Sequence, residues 1–482
     1  MAAVSVILWY ANSLNYFIYV WDRLEALLYV VPQLSVFSLN ELNILLKICS
    51  IAAGGMAVFA EAAFFYWFAK KVILYGRGWF SESDQYERIY LICGYLFFIA
   101  FAVFAYTQTS AFYAPQTSSS GEGLSYDIVY TMDSPAIMRE NSFISINAGE
   151  NDFRNILFGL FSMPFALPLF GLSKVLFFIP NFYVYALAAL QIAAVLVTIA
   201  TIVRCIGVKG IAKTAALCLF SVSYSVLLNV LSFEQYVFST MYLVLFLYAC
   251  IHAQKEKEAL LLMAGGSLLT SFAASPLILQ GKSPLRWLRQ AGRICLSFIG
   301  VFILFGQVPM LSRAAALVQR YGSFVGGALP FADRLKQFLR FVASVFVQPP
   351  AGIVVKNDAV TYQMYPVLNY SVLGIVLLAL AVFAAVYCHR HRFAVLCGAW
   401  VTFSFVVLCL IGWGTAENGL ILYSLYFGWS YTALLVLLAE KLLARFYKIR
   451  AVLYLTAALA AVSVNLPALI DMIYKLADSY PA

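Results

Sequence analysis

Long apolar runs alternate with short polar breaks along most of the chain. A membrane-crossing helix needs about 20 predominantly apolar residues. Windows of that kind fall at 3–21, 46–69, 89–108, 182–204, 211–231, 234–254, 291–310, 368–388, 393–412, 419–439 and 451–471, which predicts eleven spans. Two further apolar stretches, 156–174 and 258–279, do not fit as complete crossings. The second lies between Lys255 and Lys257 on one side and Lys282, Arg286, Arg289 and Arg293 on the other, so it reads as a hairpin or two half-helices around Gly265-Gly266. The first reads as a segment that enters from outside and returns. Two long segments, about 109–155 and 311–367, face outside. Within the second, Phe331, Leu335, Phe338, Leu339 and Phe341 fall near one face at helical spacing with basic residues around them, which predicts an amphipathic interfacial helix. The expected fold is all-α: a polytopic bundle of eleven transmembrane helices, two re-entrant or half-spanning segments, and two outer loops containing interfacial helices. Its expected divisions are 1–88, 89–310, 311–367 and 368–482.

Composition narrows the class. The chain is 63% apolar and 11% charged, against about 45–50% and about 25% in soluble domains. So few charges cannot clothe 482 residues in water, which excludes a cytosolic enzyme, a nucleic-acid binder and a disordered scaffold. The net charge of +9 reflects cytoplasmic loops that collect Lys and Arg. With the spans above, 19 of the 31 basic residues fall in such loops, among them Lys70, Lys71, Arg204, Lys213, Arg390 and Lys441. This places the N-terminus inside and the C-terminus outside. The first 20 residues lack a basic region and a small-residue cleavage site, so the N-terminus is expected to be retained. Asn12, Asn15 and Asp22-Arg23 make the first span polar, and 1–37 reads equally as interfacial. The nine cysteines show neither a disulfide framework nor zinc spacing. His252, His389 and His391 sit beside basic loops, away from any outer-face chemistry.

Six of the 22 acidic residues crowd the first outer loop: Glu122, Asp127, Asp133, Glu140, Glu150 and Asp152. Acids are costly near a membrane, so such clustering invites a functional reading. Asp133 stands in Tyr130-Thr131-Met132-Asp133-Ser134-Pro135, which suits a helix cap with Pro just inside as well as it suits a base. Glu150-Asn151-Asp152-Phe153-Arg154-Asn155 directly precedes an apolar segment, as an interfacial anchor or as a base with its ion-pair partner. A carboxylate here can accept a proton from a hydroxyl or amine nucleophile. Arg154 can orient it or pair with a phosphate. The second outer loop holds Arg313, Arg320, Arg334, Lys336, Arg340 and Lys356, against the positive-inside trend. Arg334 or Arg340, with Arg320 as an alternative, are candidates to grip a donor phosphate; a helix resting on anionic head groups is the plainer reading. Glu234 and Glu417 stand at outer turns, as solvated turn residues or as substrate contacts. Glu61 falls mid-span, toward the cytoplasm.

Three blocks carry a resemblance to a known family. They are Met132-Asp133-Ser134-Pro135 with Asp152-Phe153-Arg154-Asn155-Ile156-Leu157-Phe158-Gly159 running to Pro164; Ser232-Phe233-Glu234-Gln235-Tyr236 with Ser239-Thr240-Met241-Tyr242-Leu243; and Glu417-Asn418-Gly419-Leu420 with Tyr423, Tyr426 and Trp429. In order and outer-face placement, over roughly 130–440, they resemble the GT-C glycosyltransferases of the protein-mannosyltransferase and aminoarabinose-transferase type. Many relatives have His-Pro-Leu-Phe or Asn-Pro-Leu-Phe where this chain has Asn155-Ile156-Leu157-Phe158. The resemblance implies inverting sugar transfer on the extracytoplasmic side of a cell membrane, in a bacterial cell envelope. The donor would be a polyprenyl-phosphate sugar and the acceptor an envelope glycan, lipid or protein. It implies Asp133 as catalytic base, Asp152 as second acid or alternative base, and Arg154 on Asp152 or the phosphate. Glu150, Glu234, Arg320, Arg334, Arg340 and Glu417 are the substrate-binding candidates.

A metal stays open. No Asp-x-Asp occurs in the outer loops, yet Glu150-Asn151-Asp152 could offer oxygen ligands to Mg or Mn. The alternative functions are a transporter or flippase for lipid-linked saccharides, and an oligosaccharide polymerase or ligase. A transporter favours mid-bilayer charges, broken helices and internal repeats; no repeat is visible. A polymerase or ligase places its large loop late, whereas the acid-rich loop here comes early.

Overall fold

The computed structural model describes residues 66–114, 128–139, 141–144, 158–252, 329–356, 359–416 and 418–482, with isolated positions at 59–64, within 284–300 and at 325. The chain falls into two compact units, Met1–Glu82 with Arg289–Gln319, and Ser83–Leu288 with Arg320–Ala482. In the first, residues 66–81 are helical. The second carries everything that follows.

Its helices are α1 Gln85–Gln108, α2 Ser134–Arg139, α3 Phe158–Val175, α4 Phe182–Ile206, α5 Ile211–Ser221, α6 Tyr224–Leu231 and α7 Gln235–Ile251. After them come α8 Phe331–Ser344, a hairpin of β1 Ala351–Lys356 and β2 Ala359–Met364, α9 Val372–Tyr387, α10 Arg392–Phe405, α11 Ser424–Leu442 and α12 Tyr447–Ala477. Every expected span on described residues is a helix. Among the described residues, five helices are long and apolar enough to cross a membrane, or six if α5 and α6 count as one bent span. α7 and α9 are apolar but shorter. Large apolar side chains cover the outer surface: Val372, Leu373, Val382, Phe383 and Val386 on α9, and Val452, Leu453, Leu455 and Leu459 on α12, are exposed. Water would penalise that surface and lipid does not. The chain is a mostly helical membrane protein. The spans expected at 3–21, 46–69 and 291–310, the hairpin at 258–279 and the mid-span Glu61 lie wholly or largely outside the described residues.

Polar side chains decide where the apolar helices start, bend and meet. Asp84 caps α1 by accepting the Glu87 N–H at 2.9 Å. Below that cap Glu87 is fully buried and shared by two cations. The Arg204 guanidinium donates through Nε to both carboxylate oxygens (2.9 and 3.0 Å) and through a terminal nitrogen to Oε1, and Lys213 Nζ stands 2.8 Å from Oε2. Arg204 also reaches Ser83, and Lys213 reaches Asp84. These side chains mark one end of the bundle. Glu234, between α6 and α7, marks the other.

The span predicted at 211–231 is bent by 62° between α5 and α6. Other elements occupy the break. The N–H groups of Tyr224 and Ser225 donate to the carbonyls of Phe346 and Val345, just past α8. Asn465, buried in α12, donates to the carbonyls of Val222 (2.9 Å) and Phe346 (2.7 Å) and accepts from the Gln348 N–H (3.2 Å). One amide thus joins the broken span, the end of α8 and α12. Asn465→Leu takes the partner from the Val222 carbonyl and the Gln348 N–H in an apolar interior, while Phe346 keeps the Tyr224 N–H, and each unsatisfied buried group costs about 1–3 kcal/mol. A clearly lowered unfolding midpoint in detergent is expected; an unchanged midpoint would show that the junction is dispensable.

Two sequence expectations are corrected. In the stretch expected at 156–174, Phe158–Val175 is one continuous helix, α3, rather than a descending and returning pair. Both its ends nonetheless meet the Glu234 end of the bundle: Phe158 packs on Phe143 and Phe238, and Phe170 on Tyr183 at the start of α4. The all-α expectation also misses the hairpin. β1 and β2 pair antiparallel from Ala351↔Met364 to Lys356↔Ala359, and their Val, Ile, Thr and Tyr content suits a strand. Residues 128–130 add to β2, with the Tyr362 N–H on the Ile128 carbonyl (2.8 Å) and the Tyr130 N–H on the Tyr362 carbonyl (2.6 Å).

The amphipathic helix predicted at 331–341 is α8. Its face is more enclosed than that of a helix resting on head groups: Phe338 packs on Phe405 and Phe341 on Tyr431, while Phe331 projects outward. α9 crosses it at Gly374, where an added Cβ would overlap the Leu339 carbonyl. Backbone cannot yield as a side chain can, so Gly374→Ala is expected to cost about 1–3 kcal/mol, read as a lower midpoint than that of Gly171→Ala, where the space is open.

Candidate functional site

The Glu234 end gathers four segments: the strand-like 128–133, the turn 232–236, the loop 412–419, and α8 with the hairpin. Segment 128–133 begins on β2 and then reverses. Tyr130 holds φ 55°, in the left-handed region. That costs a bulky residue about 1–3 kcal/mol unless its surroundings fix it. Four contacts fix it: its N–H on the Tyr362 carbonyl, the Gln363 side-chain amide on its carbonyl (2.5 Å), its hydroxyl 2.5 Å from that of Tyr224, and its ring edge-on to Tyr362. Burial pushes the Tyr130 phenol above its ordinary pKa, so it stays neutral.

Beyond the reversal the Thr131 hydroxyl donates to the Gly419 carbonyl at 3.0 Å. Asp133 comes next and is half-buried. Its N–H donates to Glu234 Oε1 at 2.8 Å, and its carbonyl accepts the Ile137 N–H, which opens α2. Sequence alone gave a helix cap and a base equal weight. The structure puts Asp133 at a helix start and also against a second carboxylate from another motif.

Glu234 is 0% exposed, which overturns its reading as a solvated turn residue. Gln191 of α4 holds the turn, donating to the carbonyls of Asn229 and Ser232 (2.6 Å each) and accepting the Glu234 N–H (3.3 Å). At the second residue of α7, Tyr236 packs edge-on against Tyr423 and Tyr426, and the Trp413 indole donates to the Tyr423 hydroxyl at 2.7 Å. Trp429, from the same sequence block, stacks instead on Phe393 and Trp400.

The two candidate arginines of α8 lie along the loop 412–419. Arg334 donates to the Leu410 carbonyl (2.5 Å) and packs its stem on Gly412, whose φ of 80° ends the preceding helical turn. Arg340 donates to the Tyr365 carbonyl (2.5 Å), which also receives Asn418 Nδ2 (3.3 Å). Burial lowers the Arg340 pKa from its ordinary value. Gln337 adds a bond to the Thr415 carbonyl. Each guanidinium carries five N–H donors, so neither arginine is saturated by one carbonyl. Lys336 pairs with Asp333 at 2.8 Å, and that bond raises its pKa.

The structure therefore joins Asp133 to Glu234 and ties both, through Thr131 and the loop 412–419, to the helix bearing Arg334 and Arg340. Glu150, Asp152, Arg154, Arg320 and Glu417 lie outside the described residues. So does the Glu150-Asn151-Asp152 group considered for Mg or Mn. Among the described residues no cluster of three or more His, Cys, Asp or Glu could hold a metal ion. His252 follows the last turn of α7, at the opposite end of that helix from Glu234. Sequence reasoning missed Tyr130, Tyr224, Gln191 and the hairpin. The signal for Gln191 was present: a lone amide within Ala188-Ala189-Leu190-Gln191-Ile192-Ala193 has to find a buried partner.

No family model matches the chain, and neither a curated protein nor a solved structure is similar to it.

Proposed function

We propose that the protein is an integral-membrane glycosyltransferase that moves a sugar from a polyprenyl-phosphate donor to an extracytoplasmic acceptor, with inversion. The observation that carries this reading is the 2.8 Å bond from the Asp133 N–H to Glu234, which joins two of the three blocks that resemble the GT-C enzymes. The third block meets them through Thr131 and Gly419.

In this reading the Asp133 carboxylate takes the proton of the acceptor hydroxyl as its oxygen attacks the anomeric carbon. The bond from that carbon to the phosphate oxygen breaks, and the polyprenyl phosphate leaves with the electron pair. Glu234, which holds the Asp133 N–H, is a candidate substrate contact, and Asp152 and Arg154 are the second acid and its ion-pair partner. Arg334 and Arg340, with Arg320 as a further candidate, hold the phosphate in charge-assisted bonds, and Glu150 is a candidate contact to another part of the substrate. Glu417 is a further candidate for substrate binding. The positive-inside distribution puts this end of the bundle on the extracytoplasmic side. A divalent ion at Glu150 and Asp152 would supply charge neutralisation to the departing phosphate.

The bent span α5–α6 is the feature that would favour a transporter, because broken helices build substrate sites. Its break is filled by the chain's own carbonyls and by Asn465, which supports a structural bend. The test is purified protein in lipid nanodiscs with radiolabelled polyprenyl-phosphate sugars and acceptor-bearing membranes. Time-dependent label on the acceptor and release of free polyprenyl phosphate are expected. Movement of intact donor between leaflets without release would sink the enzyme reading.

A further inference from the structure

We propose that Tyr130 is a positioning residue for Asp133, and that the β1–β2 hairpin acts on the site through it. The inference rests on Asp133 being the base of the proposed transfer. Tyr130 itself touches no substrate: it is 1% exposed, and its hydroxyl is taken up by Tyr224 beside the break in the bent span.

The geometry is a two-sided hold on a short segment. On the near side, consecutive residues of β2 grip both peptide groups of the left-handed residue. Tyr362 accepts its N–H at 2.6 Å, and Gln363 donates to its carbonyl at 2.5 Å. The reversal closes with the Met132 N–H on the Val129 carbonyl at 3.2 Å. A residue at φ 55° turns the chain sharply, so this one dihedral sets the direction in which Thr131, Met132 and Asp133 leave the strand. On the far side, Glu234 takes the Asp133 N–H and Gly419 takes the Thr131 hydroxyl. The far anchors act at the site itself. The near anchor is supplied by the hairpin, which is held in turn by the Tyr480 hydroxyl on the Val360 carbonyl at 2.7 Å and by Gln348 on the Tyr362 hydroxyl at 3.1 Å. A tyrosine here is otherwise hard to explain, because glycine or asparagine adopts φ 55° more readily. The ring gives the turn something to be locked by.

A base works only when its oxygen sits within hydrogen-bond reach of the proton it removes. A displacement of about 1 Å costs about 10²-fold in rate, so loosening the near anchor acts on turnover before it acts on donor binding.

The experiment uses full-length protein in nanodiscs with Gln363→Leu, which keeps the side-chain size and removes the donor, beside wild type, Asp133→Asn and the double variant. Amide hydrogen exchange over 128–138 reads the position of Asp133 without reference to activity. Faster exchange at Asp133 is expected in Gln363→Leu. In the transfer assay kcat should fall at least about tenfold with the donor KM within about twofold, and the double variant should be no slower than Asp133→Asn alone. Unchanged exchange at Asp133, a loss carried wholly by KM, or losses that multiply in the double variant would each overturn the proposal. Should Gln363→Leu fail to accumulate, Tyr130→Phe carries the same comparison, since it keeps the ring and loses the bond to Tyr224. Faster exchange at Asp133 in a protein whose wild type transfers no sugar would leave the positioning intact and remove the glycosyltransferase reading.

Discussion

Asp133→Asn is expected to slow sugar transfer by about 10²–10⁴-fold, the usual contribution of a positioned general base. The substitution removes the proton-accepting charge and keeps the size of the side chain. The Asp133 N–H, which reaches Glu234, and its carbonyl, which opens α2, belong to the backbone and survive. The variant should therefore fold, keep its unfolding midpoint and bind donor as wild type does. A kcat within about threefold of wild type would remove Asp133 from the chemistry and shift the burden of base to Asp152. Glu234→Gln makes a useful contrast. It keeps an oxygen at the position that accepts the Asp133 N–H and discards only the charge, whereas Glu234→Ala discards both and should be the slower of the two.

The largest effect on stability is expected at the opposite end of the bundle. Glu87→Ala leaves Arg204 and Lys213, each with a side chain only 7% exposed, facing one another without the carboxylate between them. Breaking a buried ion cluster by removing one partner costs about 3–5 kcal/mol; Lys213 keeps its bond to Asp84, which places the expected loss at the low end of that range. A marked fall in the unfolding midpoint, or failure to accumulate, follows. The simultaneous replacement Glu87→Leu, Arg204→Met and Lys213→Leu removes the two cations too, and should recover most of the loss. If the triple variant is no better than the single one, the cluster is not behaving as a set of mutually compensating charges. The neighbouring Asp84 adds a pH signature. Burial works to raise its carboxyl pKa, but the Lys213 ammonium and the Glu87 N–H outweigh burial and leave it below the ordinary value. A depressed carboxylate stabilises the fold above its unfolded pKa and loses that contribution as the pH falls through the folded value. Acid should therefore loosen this end below the usual carboxylate range, and Asp84→Asn should flatten that dependence.

How far the sequence could be read depended on what each residue answers to. Apolar runs answer to the lipid, which is the same everywhere, so α1, α4 and α11 fall close to their expected limits, while α10 stops short of its expected end and α12 runs past both of its limits. α8 was equally legible, because its periodicity is local. The bend at Val222-Ser223 was not, since what permits it is Asn465, hundreds of residues away, and the carbonyls after α8. The hairpin escaped for a related reason. Its strands occupy a segment classed as loop by its polarity, and what holds them in place is Tyr130 and Tyr480. At the site, Asp133 and Glu234 were each visible as acids in a suitable place. Their meeting was not visible, because a backbone N–H leaves no mark in a sequence. Arg334 and Arg340 were noticed for their charge, while the carbonyls of Leu410 and Tyr365 that orient them could be found only in three dimensions.

The bonds made by Tyr480 set an order of assembly. Its carbonyl receives the Thr109 hydroxyl and the Ser110 N–H at the end of α1, while its hydroxyl anchors β2. Thr109 leaves the ribosome more than three hundred residues ahead of Tyr480. Throughout that interval the end of α1 lacks the Tyr480 carbonyl that receives Thr109 and Ser110. The end of α1 and the hairpin are therefore joined to one another only when the residues beyond α12 arrive.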